Sequence, residues 1–148
     1  MRKGQISLDF LFAVTLIAIT MVNLVHIASI EQAHSEAFDT VAKLKAFSID
    51  VRDTVVKAYA VGDGFTVRKR LPIELDSGGD EVTIKLIAPS NITIDAYIGG
   101  GVLPRGSEAQ VPIYKNSKVT LTATNMEFNV TATYNEAEGG RVDVVLSS

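Results

Sequence analysis

Twenty-one consecutive residues, Phe10 to Ile30 (FLFAVTLIAITMVNLVHIASI), contain no Asp, Glu, Lys or Arg. A helix rises about 1.5 Å per residue and a bilayer's hydrocarbon is about 30 Å thick, so this run is long enough to span it. Thr15, Thr20, Asn23 and His26 dilute the run without breaking it. A buried core helix is the competing reading, and 21 uncharged residues at an N-terminus count against it. Arg2 and Lys3 precede the run, and Glu31, Glu36 and Asp39 follow it. The positive-inside bias then places the N-terminus in the cytoplasm and residues beyond about 31 outside. A cleaved secretory signal has an apolar region of about 7–15 residues and an A-x-A-like exit. This run is longer, and Ala28 and Ala33 follow His26 and Glu31 at the positions where a small residue is needed.

Composition removes several function classes. The 14 basic and 17 acidic residues leave a net charge of −3, with no basic surplus for nucleic-acid phosphates. There is no cysteine, hence no disulfide, thiolate metal site or cysteine nucleophile. The two histidines, His26 and His34, lie in or beside the apolar run with no carboxylate at ligand spacing, and both read as structural.

The residues before the run are the most specific signal. The chain opens MRKG-QISLDF, placing the carboxylate of Asp9 at the edge of the apolar segment. A carboxylate at that depth sits at headgroup level, favoured by its own helix N-terminus, or pairs with a positive charge. A cut after Gly4 would supply that charge: Gln5 would carry a new α-amino group, with Asp9 the fifth residue of the product. This arrangement resembles the class III signal peptide of type IV pilins. Arg2-Lys3-Gly4 resembles the basic leader ending in glycine, and Gln5-x-Ser7-x-Asp9 resembles the archaeal Q-x-S-x-E pattern. Asp9 stands in place of the commoner Glu, and Ala13 where Leu is usual.

The resemblance covers roughly the first 30 residues and implies a mechanism. A prepilin peptidase would cut between Gly4 and Gln5, with Arg2, Lys3, Ser7 and Asp9 serving recognition and assembly. An assembly ATPase and a membrane platform protein would then move subunits from membrane lipid into a helical filament of many copies. There a neighbour's Gln5 amine would neutralise Asp9, as a buried charge requires.

The helical pattern continues past the apolar run. Ala37, Val41, Leu44, Phe47, Val51, Val55 and Ala58 recur at steps of three and four, an apolar stripe of helical period. Asp39–Lys43 and Asp53–Lys57 are acid-before-base pairs at i,i+4. No proline or glycine interrupts residues 5 to 61, and Gly62-Asp63-Gly64 then ends the helix.

Beyond Gly64 the period becomes two. Val82–Leu86, Ile92–Ile98, Val119–Thr124 and Met126–Tyr134 alternate apolar with polar residues. Phe65–Leu71, Val111–Tyr114 and Arg141–Leu146 are further strand candidates. The turns between them are too short for crossover helices, so the strands should pair antiparallel. The expected fold is α+β: a long N-terminal helix packed by its second half on an antiparallel sheet or sandwich of about seven strands. The expected divisions are a leader (1–4), an apolar transmembrane or filament-core helix (5–30), its amphipathic continuation (31–62) and an extracellular β-rich head (63–148).

Asp76-Ser-Gly-Gly-Asp80-Glu81 has three acids but lacks calcium-loop spacing and reads as a solvated hairpin. Gly99–Gly101 is not a phosphate loop, since no helix or Lys-Ser/Thr follows. Arg68-Lys69-Arg70 reads as edge protection or a contact with an acidic neighbour. Two sequons, Asn91-Ile-Thr93 and Asn129-Val-Thr131, are N-glycosylation candidates on the side expected outside the cell. With no nucleophile–base or metal constellation, the chain reads as a non-enzyme without cofactor or metal. Two classes remain: a pilin at the cell surface, single-pass before assembly and serving adhesion, or a membrane-anchored minor pilin or archaellum accessory or stator-like protein outside the bulk filament.

Overall fold

A computed structural model describes residues 3–76, 78–103, 106–109, 111–137 and 139–148. Among these residues one helix, α1 (Lys3–Val61), precedes eight strands: β1 (Thr66–Arg70), β2 (Glu81–Ile87), β3 (Asn91–Ile98), β4 (Gly101–Val102), β5 (Gly106–Ala109), β6 (Ser117–Thr122), β7 (Glu127–Asn135) and β8 (Arg141–Ser147). The chain is α+β. The expectation of about seven strands fits, the two-residue β4 being the shortest of the eight. The chain divides into two compact units, Met1–Asp39 and Thr40–Ser148.

Among the described residues the first unit is helix alone, and every described side chain from Leu8 to Asp39 is exposed. The second unit contains the end of α1 and all the strands. β1, β7 and β8 form one sheet in that order, and β4, β3, β2 and β6 another, with β5 also on β3. Every pairing is antiparallel. The serine hydroxyl of Ser117 joins the sheets: it donates to the Leu146 carbonyl at 3.3 Å and accepts the Leu146 N–H at 2.8 Å.

The core follows the two periods of the sequence. Leu44, Phe47, Val51, Val55 and Ala58 bring the apolar stripe of α1 into one cluster with alternate residues of the strands, such as Val82, Ile84 and Leu86 on β2 and Phe128, Val130 and Ala132 on β7. Phe47 meets Phe128 edge to face, with centroids 6.1 Å apart. Each such Val, Leu, Ile or Phe side chain contributes about 1.5–3 kcal/mol of apolar burial. The helix ends at Gly62, whose φ of +87° suits the left-handed cap and whose N–H reaches the Ala58 carbonyl at 3.0 Å. Asp63 then accepts the Tyr134 N–H at 2.7 Å, pinning the helix end to β7.

One strand candidate is corrected. Val111–Tyr114 is irregular, although Val111 and Ile113 are buried. Pro112 has no N–H for a ladder, and the Ile113 N–H goes instead to the Pro89 carbonyl at 2.8 Å. The strands beside β3 are β4 and β5, which the periodicity did not single out. Gly99 and Gly100, at φ +61° and +78°, form the tight turn that opens this pairing.

Candidate membrane and assembly helix

The candidate site is the exposed apolar part of α1. The helix is long and apolar enough to cross a membrane. Phe10 and Leu16 are each 70% exposed, and Phe12, Ile19, Leu24 and Ile27 are exposed in the same way on successive turns. No side of this segment carries a formal charge between Phe10 and Ile30. Its hydroxyls are bonded inside the helix: Thr15 to the Leu11 carbonyl and Thr20 to the Leu16 carbonyl, both at 2.8 Å, and Ser29 to the Val25 carbonyl at 2.9 Å. These polar groups therefore need no water, which lowers the cost of placing them in lipid or among other helices.

The leader motif is only partly described. Arg2 lies outside the described residues. Lys3, Gly4, Gln5 and Ser7 contribute backbone to α1, and their side chains lie outside the description. Asp9 is exposed on the helix. His26 and His34 are exposed as well.

The motifs of the second unit resolve into structural roles. Asp80 accepts the Gly99 N–H at 2.9 Å and the Asp76 N–H at 3.2 Å, so its carboxylate ties two turns together. Ser77 of the same segment lies outside the described residues. The basic triplet is on β1, at the edge of its sheet. Lys69 grips Asp50 at 2.8 Å and Arg68 approaches Glu127 at 3.6 Å, which are the acidic neighbours the sequence anticipates. Asp53 takes the adjacent Arg52 at 2.8 Å rather than Lys57.

Both sequons lie in paired strands. Asn129 faces Arg68 on one side and Ser147 on the other, half-buried on the opposite face from the buried Val130. Asn91 opens β3, half-buried, opposite Ile87 and Ala109.

At the end of α1, Tyr59 and Tyr114 meet edge to face at 5.6 Å, and the Arg141 guanidinium lies 5.4 Å from the Tyr114 ring centre. Arg141 also reaches Asp143, a buried carboxylate that accepts the Asn135 amide at 3.0 Å. Burial pushes the Tyr59 phenol above its ordinary range, opposed by the backbone amides of Tyr114 and Val144. This cluster, and the outward face of β2, β3 and β6, were not singled out by the sequence pattern, because both depend on strand register. Comparison with protein-family models, curated proteins and solved structures finds no match to this chain.

Proposed function

We propose that this chain is a structural subunit, a pilin, of an archaeal type IV pilus-like surface filament. The observation that carries the reading is the exposed, uncharged surface of α1 from Phe10 to Ile30. Such a surface requires lipid or other apolar helices around it. In this reading a prepilin peptidase cuts between Gly4 and Gln5, the apolar helix spans the membrane with its N-terminus in the cytoplasm, and the β-rich unit lies outside. An assembly ATPase and a membrane platform protein then pass the subunit into a filament in which equivalent helices replace lipid. The buried Asp9 carboxylate pairs there with the Gln5 amine of a neighbour, and Asn91 and Asn129 are the places for N-linked glycans on the outer part.

Two measurements on cells test this. The mass of the mature chain should correspond to a start at Gln5; a start near Ser29 or Ala33 would leave an ordinary secreted domain. Asp9→Ala should insert and be cut but fail to assemble, since breaking one side of a buried ion pair costs about 3–5 kcal/mol. Normal filament yield from that variant would make Asp9 a headgroup-level residue. Shearing then separates the second reading: a bulk subunit leaves with the filaments, whereas a membrane-anchored accessory protein stays with the cells.

A further inference from the structure

The outward face of β2, β3 and β6 departs from an ordinary wet sheet face in three ways. Its register sets Lys85 directly opposite Lys118, a like-charge pair that a sheet normally avoids. Lys85 is satisfied by Asp95 at 2.7 Å, while Lys118 has no ion-pair partner among the described residues. Thr83, one same-face step along β2 from Lys85, is recessed to 8% exposure, its hydroxyl bonded to that of Thr120 at 3.1 Å. Beside it, Tyr97 and Val102 are paired across the β3–β4 ladder, 41% and 81% exposed, as an apolar ledge on an otherwise polar surface. Glu81, Thr83, Lys85, Asp95, Tyr97, Val102 and Lys118 line an open groove of about 340 Å³.

We infer that this groove binds a neutral saccharide unit, its apolar ring face on Tyr97 and Val102 and its hydroxyls toward Glu81, Thr83 and Lys118. The charge balance selects that chemistry. Among the described lining residues two carboxylates and two ammonium groups balance, so the groove offers no net charge to draw a cation or an anion, and Lys118 is left to donate to a neutral hydroxyl. A sugar ring has what the groove is complementary to: one C–H face, and a rim of hydroxyls that donate to Glu81 and accept from Lys118. The Lys85–Asp95 pair fixes the floor between them. The inference does not depend on the filament reading, because an anchored accessory protein would present the same face.

The test uses the full chain in a zwitterionic detergent without a sugar headgroup, run in native gels containing neutral mannan, galactan or dextran, with alginate as the anionic comparison. At least one neutral polymer should retard the protein. Tyr97→Ala should weaken that retardation about tenfold, the scale of one lost ring contact, and Tyr97→Phe should preserve it. Val102→Asp, at an exposed position remote from the core, should abolish retardation and decides the matter if Tyr97→Ala fails to fold. Absence of retardation by all three neutral polymers, retardation by alginate alone, or full binding by folded Tyr97→Ala or Val102→Asp would overturn the inference.

Discussion

Leu16 and Val51 are both aliphatic residues on the same helix, yet the first is 70% exposed and the second wholly buried. The difference lies in how the apolar residues around them are arranged. Near Val51 they form a stripe, Leu44, Phe47, Val55 and Ala58, with Lys45, Asp50 and Lys57 on the remaining sides. A stripe needs one partner surface, and the alternating strands of the same chain supply it. Around Leu16 the apolar residues occupy every side, and one small sheet could not cover them all. A helix apolar on all sides requires an apolar medium or several neighbouring helices.

The largest expected effect comes from separating these two regions. A chain truncated to begin at Glu31 should be soluble, folded and monomeric, with mixed helix and strand signals in circular dichroism. The full chain should need detergent, lipid or its own copies. The truncated chain should form no filaments, because contacts between heads replace only a fraction of the apolar burial lost, at about 25 cal/mol per Å². Electron microscopy checks this: regular filaments from residues 31–148 would move the assembly determinant out of Phe10–Ile30.

The same contrast explains what could be read from the sequence. Both helical segments, the glycine stop at Gly62 and the six longer strands were legible, because periods of 3.6 and 2 record which side of each element is buried. Val111–Tyr114 misled because alternate burial of Val111 and Ile113 imitates a strand, while Pro112 denies it the ladder. β4 and β5 were hidden because Gly101–Val102 and Gly106–Ala109 are short and carry little periodic signal; β3 recruits them through pairing. The groove with Tyr97 and Lys118 was hidden for a related reason, since register between strands is set by turns and packing across the whole head. The apolar length of Phe10–Ile30 was legible without any structure.

A second, smaller effect compares one residue type on the two sides of the boundary. Phe128→Ala should lower the unfolding free energy of the β-rich unit by about 3–5 kcal/mol, since the ring is 1% exposed and packs on Phe47. Phe12→Ala, at a position 66% exposed, should change it by less than about 0.5 kcal/mol. Urea titration of both variants in the same detergent measures the pair. Equal losses would mean that the apolar segment is part of the same cooperative core, contrary to the division drawn between them.

The smallest expected effect lies at the far end of α1, where polar groups close the stripe. The Tyr59 phenol is raised by burial in the folded chain, so the folded state holds its proton to higher pH than the unfolded state does. The unfolded state therefore binds fewer protons across that interval, and stability falls as pH rises from the ordinary tyrosine range toward the folded value. Below that range the contribution is constant. Tyr59→Phe keeps the ring against Tyr114 but loses the oxygen that accepts the Tyr114 N–H at 3.3 Å, so it should be slightly less stable at neutral pH. Its decline in alkali should be shallower than that of the unmodified chain. Thermal melts from pH 8 to 11 measure both slopes. Parallel slopes would show that Tyr59 ionises as freely in the folded head as in the unfolded chain, and that this end of the helix is open to water as the Phe10–Ile30 surface is.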